Sequence, residues 1–201
     1  MGTGNKAEML IAICAVLTSV IALFVAWDQG RVMRAQQHGA VFPVVQIDGF
    51  VSTTADHASM GVRLSNSGVG PALIERVQML KDGAPVDSLQ PYVDRLPENY
   101  DLSWSGLTGR AIAPGAEVAP IELLWTREDI SDDRLNSTAA EWAELSLEVC
   151  YCSVFDRCWV TRGIGTARSE RVKQCEQSDA DIFEALATRP ALSTTDTPEV
   201  D

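Results

Sequence analysis

SMGVRLSNSGVGPALIERVQMLKDGAPV, residues 59–86, reads as strand, turn, strand, turn. Met60, Val62 and Leu64 alternate with Arg63 on the other side, the two-residue period of a half-buried strand. Residues 65–72 are dense in Asn, Ser, Gly and Pro, a strong turn signal. Ile74, Val77 and Leu80 carry on the apolar pattern less cleanly. Asp82-Gly83 then supplies a hairpin cue.

The same alternation of strand and turn extends outward. FPVVQIDGFV, residues 42–51, opens the series, with Pro43 where a first or edge strand tolerates it. Residues 87–109 look irregular, with room for a short helix near 88–96. Pro114-Gly115 marks a turn, and APIELLWT (119–126) reads as a strand. REDISDDRLNST (127–138) is loop or short helix, with Asp132-Asp133 suited to a helix start. Residues 141–153 and 158–166 read as a hairpin, and 179–188 as a short acidic helix. Seven or so short strands separated by turns imply a mainly β fold, a β-sandwich. The expected layout is an N-terminal segment 1–8, an apolar helix 9–27, a juxtamembrane helix or linker 28–41, a sandwich 42–176, a short helix 177–188 and a disordered tail 189–201.

Asn66-Ser67-Gly68-Val69-Gly70-Pro71-Ala72, followed by a strand and Asp82-Gly83, resembles the N-x-G-x-G-P-A turn of many bacterial immunoglobulin-like sandwich domains. Ala113-Pro114-Gly115 is similar to the P-G turn before a late strand in those domains. The resemblance covers residues 42–166 in outline. It implies an immunoglobulin-like fold and is silent on function, because its motifs are turn chemistry. The whole chain resembles small single-span bacterial membrane proteins.

MLIAICAVLTSVIALFVAW, residues 9–27, contains no charge. A helix of that length spans roughly 28 Å, close to the hydrocarbon thickness of a bilayer. Thr18 and Ser19 can bond back to a carbonyl one turn earlier, and Trp27 suits the interface. A cleaved signal peptide competes with this reading. Its best cleavage point, after Ala26, has bulky Phe24 where a small residue is expected, so an uncleaved anchor is favoured. Arg31 and Arg34 follow the span and lean weakly toward a cytoplasmic domain.

The cysteines lean the other way. Cys14 lies in the span as a small apolar residue. Cys150, Cys152, Cys158 and Cys175 form an even, local set, as disulfides do in an exported domain. Cys150 and Cys152 are too far apart along one strand to bond each other. Cys152 facing Cys158 across a hairpin leaves Cys150 for Cys175. The exchanged pairing, Cys150–Cys158 with Cys152–Cys175, stays open. The spacing C-x-C-x5-C-x16-C is poor for zinc, although four thiolates suffice in number.

The chain carries a net charge of −12, and its first 38 residues carry +1, leaving −13 for the rest. Such a domain repels phosphate backbones, so nucleic acid is not an expected partner. His38 and His57 stand in no metal or triad context, and no catalytic motif is present. No cofactor is expected. Tyr92, Tyr100 and Trp104 fall in the irregular middle as candidate partner-binding residues, or as cover for the core. The leading expectation is a non-enzymatic, membrane-anchored accessory module with a periplasmic or otherwise extracytoplasmic domain, whose partner is another membrane or envelope protein. The alternatives are an envelope hydrolase or carbohydrate-binding protein using carboxylates and the aromatic loop, and a cytoplasm-facing domain with reduced or metal-bound cysteines.

Overall fold

A computed structural model describes residues 4–165, 168–178 and 180–188. The chain divides into two compact units, Met1–Val41 and Phe42–Asp201. The first is one helix, α1 (Gly4–Gly39), so the expected juxtamembrane segment is its continuation. Its stretch Glu8–Arg34 is long and apolar enough to cross a bilayer, a property that signal sequences share. Thr18 Oγ1 donates to the Cys14 carbonyl at 2.9 Å, and Ser19 Oγ to that of Val16 at 2.7 Å. Both hydroxyls are thus satisfied inside the helix, as an apolar medium requires.

The second unit is mainly β. Its strands are β1 (Val45–Thr53), β2 (His57–Asn66), β3 (Ala72–Lys81), β4 (Ala84–Pro85), β5 (Asp101–Trp104), β6 (Ala111–Ile112), β7 (Glu117–Thr126), β8 (Leu145–Cys152), β9 (Cys158–Arg162) and β10 (Ser169–Val172). Two antiparallel sheets result. One has the order β1-β2-β7-β5, the other β10-β9-β8-β3-β4, with β6 also paired to β3. Ile47 and Leu64 from the first sheet and Ile74, Leu147 and Tyr151 from the second meet in one core cluster. The remaining helices are α2 (Gln90–Val93) and α3 (Asp132–Trp142), with a 3-10 turn at Glu184–Thr188.

The imperfect pattern of β3 has a local cause. Pairing with β8 shifts between Ile74 and Arg76, so one extra residue enters the strand there. The inward set moves from Ala72 and Ile74 to Val77 and Met79. Asp82 (φ 51°) and Gly83 (φ 78°) then close the β3–β4 hairpin, both in the left-handed region that a two-residue turn demands.

The 66–72 corner is built around one amide. Asn66 is fully buried. Its Oδ1 accepts from the Val44 and Gly68 N–H groups at 3.1 and 3.0 Å. Its Nδ2 donates to the carbonyls of Gly70 and Ile112 at 2.8 and 2.9 Å. The side chain thereby ties the turn to the entry of β1 and to β6. A Cβ at Gly68 would lie 2.4 Å from the Phe42 carbonyl oxygen and 2.5 Å from the Val44 nitrogen, so only glycine fits.

Several expected boundaries move. The middle segment is less irregular than its composition implies, because β5 pairs with β7 from Asp101↔Leu124 to Trp104↔Ile121. The helix allowed near 88–96 is confined to α2. The strand expected over 141–153 starts only at Leu145, because α3 runs on to Trp142. Ser131 caps α3 by accepting from the Arg134 N–H, and Asp132 and Asp133 occupy the first turn. The strand expected over 158–166 ends at Arg162. The acidic helix expected over 179–188 shrinks to the 3-10 turn. Asp181 is spent elsewhere: its carboxylate accepts from the N–H groups of Leu107, Thr108 and Phe183 at 2.6–2.9 Å. It fastens the C-terminal segment to the sheets and buries Phe183 fully. The expected tail, 189–201, lies outside the described residues.

Candidate functional site: an apolar cleft and a cysteine cluster

The core is not sealed everywhere. A cleft of about 360 Å³ runs between the sheets beneath α3. Met79, Leu145 and Leu147 of the second sheet form one wall. Met60, Val62, Ile121 and Leu123 of the first sheet form the opposite one. Ala139, Ala140 and Trp142 of α3, with Ala143 just after it, line its side. Gly49, Phe50, Val51, Gly61 and Ile164 complete it. The inward positions of β1 run Val45, Ile47, Gly49, Val51, and Ile164 packs against Gly49, where a Cβ would lie 3.1 Å from its Cγ2. Alanines on α3 withhold volume from the other side. Val51 (48 % exposed) and Ile164 (40 % exposed) stand where the cleft meets solvent. Among the described residues, none that lines the cleft carries a titratable side chain.

The three candidate aromatics are not brought together as one exposed platform. Tyr92 is buried and meets Trp142 edge-on, with centroids 6.2 Å apart. Arg95 and Lys81 lie over its ring at 5.0 and 5.7 Å. The hydrogen bond from Lys81 to Glu144 raises the lysine above its ordinary range. Tyr92 therefore stands behind the cleft, propping the tryptophan that lines it. Tyr100 is partly buried against Trp125, centroids 6.1 Å apart, and the Trp125 indole donates to the Pro97 carbonyl. Trp104, on β5, is 39 % exposed.

The four downstream cysteines gather on the outer face of the second sheet. Along β8 the residues 145, 147, 149 and 151 enter the core, so 148, 150 and 152 face outward. Cys150 and Cys175 stand at disulfide distance, as do Cys152 and Cys158. These are the pairs that strand geometry favoured over the exchanged set. Cys152 lies directly opposite Cys158 in the β8–β9 register. The two pairs touch, with Cys152 Sγ 3.7 Å from Cys175 Sγ. Beside them, Glu148 is buried between two guanidinium groups. It accepts from Arg76 at 2.9 Å and from Arg162, whose acidity its hydrogen bond weakens further.

Buried carboxylates are the natural place to look for acid–base chemistry. Among the described residues these are Glu148 and Asp181, and each is held by donors: two arginines in one case, three backbone N–H groups in the other. His57 lies exposed at the start of β2, where its backbone closes the Thr54 turn. The cleft itself offers shape and apolar surface, and its chemistry is that of binding.

No protein-family model matches the chain, and no curated protein matches it.

Proposed function

We propose that this chain is a non-enzymatic binding module, held to a membrane by the uncleaved span 9–27, with a disulfide-bridged immunoglobulin-like sandwich on the extracytoplasmic side. The strand order supports the immunoglobulin-like assignment: β1-β2-β7-β5 follows the A-B-E-D order of that fold, and β9-β8-β3 follows G-F-C. Two cysteine pairs at disulfide distance support an oxidising compartment. The observation that carries the reading is the cleft. A domain of this size ordinarily packs its core without large voids, and leaving one open sacrifices contacts. An apolar opening that no titratable group lines among the described residues favours holding a ligand over transforming it.

The test is a photoreactive amino acid in place of Val51, at the mouth of the cleft. Irradiation of intact membranes is expected to give a discrete adduct. That adduct is expected to vanish when Ala143→Trp fills the cleft in the same chain. Adducts that are absent, or indifferent to Ala143→Trp in a chain shown to be folded, overturn the binding reading.

One observation favours a second reading. The Sγ atoms of Cys152, Cys158 and Cys175 lie within 4.8 Å of one another. Thiolates around a tetrahedral zinc stand about 3.8 Å apart, given a Zn–S bond of about 2.3 Å. A reduced, cytoplasm-facing domain would hold a soft divalent ion there. Metal analysis of chain purified under reducing and non-reducing conditions decides between them: stoichiometric zinc in the chain as isolated selects the second.

A further inference from the structure

We infer that the cleft beneath α3 is the receptor for a single linear acyl chain of a membrane lipid; this rests on the binding reading above and names its ligand class. Three observations select that occupant. The first is the absence of hydrogen-bonding side chains, apart from the Trp142 indole, among the described residues of the walls. A peptide segment brings an N–H and a carbonyl with every residue, and leaving them unpaired in an apolar recess is costly. An acyl chain brings none. The second is volume. A methylene displaces about as much space as a liquid water molecule, about 30 Å³, so the cleft of about 360 Å³ takes about a dozen. A folded peptide element needs several times that space. The third is supply. Only residues 28–41 separate the end of the apolar span from the β-domain, so a domain tethered by that span stays within reach of bilayer lipid.

The headgroup remains outside. Val51 and Ile164 give the mouth an apolar lip, which the first methylenes cross, while Met79 and Leu147, both nearly or fully buried, mark the deep end. Nothing covalent is required, and the lipid leaves as it entered.

The full-length chain, reconstituted in phosphatidylcholine vesicles, provides the test. Trace phosphatidylcholine is added with a diazirine on one acyl chain, placed either near the headgroup or near the chain terminus. Irradiation and peptide mapping follow. Labelling within 9–27 is the internal standard, because that segment meets bilayer lipid in any case. The expected result is a second labelled region in the β-domain with a depth order. The terminal diazirine marks the peptides holding Met79 and Leu147, and the shallow one marks those holding Val51 and Ile164. Ala140→Trp and, separately, Ala143→Phe are expected to reduce the domain label at least tenfold and leave the label in 9–27 unchanged. The depth order needs no variant, so it decides the matter even if a substitution disturbs folding. Label confined to 9–27, or domain label without depth order, overturns the acyl-chain assignment. If the photoreactive residue at position 51 still yields a cleft-dependent adduct while the lipid probes do not, the binding module stands and only its ligand class falls.

Discussion

The β2–β3 corner and the cleft beneath α3 border the same core and are finished in opposite ways. At the corner every polar atom of a buried Asn66 is engaged, and a Cβ has no room at Gly68. At the cleft the walls are apolar, and small residues at 139, 140 and 143 leave space unfilled. The corner spends its sequence on stability and uniqueness. The cleft gives up packing, which is the usual mark of a place kept for something else.

The largest expected effect breaks the corner. Asn66→Ala strands the Val44 N–H and the Gly70 and Ile112 carbonyls, and is expected to cost about 4 kcal/mol. Urea unfolding of the full chain in detergent measures it. A cost below about 1 kcal/mol would mean that the amide closes nothing.

Much of the corner is legible in the sequence. Asn66, Gly68 and Pro71 announce a turn by residue type, and Asp82-Gly83 announces its hairpin, because left-handed backbone restricts what can stand there. The cleft was not legible. It joins Gly49, Met79, Ala140, Leu147 and Ile164, which are distant in sequence, and it consists of missing volume rather than of a motif. β5 was hidden for another reason: its four residues DLSW are mostly exposed and get their strand character from pairing with β7. α3 and β8 blurred together because AAEWAELSLEV passes from one period to the other with no Gly or Pro between them. Tyr92 and Tyr100, singled out by composition, proved to be packed side chains, since sequence does not report which face an aromatic on a loop will turn.

The next effect concerns the outer face. The Cys150–Cys175 pair spans 25 residues and fastens a segment that has little core of its own. Replacing both residues by Ser is expected to cost about 3 kcal/mol through the freed unfolded chain, read as a lowered melting temperature of the oxidised protein. An unchanged melt would show that the segment holds without the bridge.

Filling the cleft should do the reverse. Ala140→Leu with Ala143→Leu is expected to leave stability unchanged or raise it by up to about 1 kcal/mol, while ligand capture disappears. If the double variant loses more than that, the alanines are there for packing and the contrast with the corner dissolves.

The smallest effect lies at the turn into α3. The Thr126 hydroxyl, followed by the Asn99 amide, donates to Asp129 and holds its carboxyl below the ordinary range. A depressed folded pKa contributes stability that is present above the unfolded value, and that contribution is lost as pH falls through the folded one. Thr126→Val is expected to move the Asp129 titration upward, toward the ordinary carboxylate value, with little change in stability for so exposed a group. Carbon-detected NMR of the Asp129 carboxyl reads the shift, and an unmoved titration would assign the depression to other donors.

The claim on which the rest depends is that an uncleaved helix holds an oxidised domain outside the cytoplasm. Intact cells treated with a membrane-impermeant maleimide, before and after an impermeant phosphine reductant, examine this in one gel. Full-length chain that resists carbonate extraction, takes no tag before reduction and takes tags on the downstream cysteines after it, all without lysis, is the outcome expected. Tags that need lysis but no reductant would place free thiols in the cytoplasm and end the exported reading.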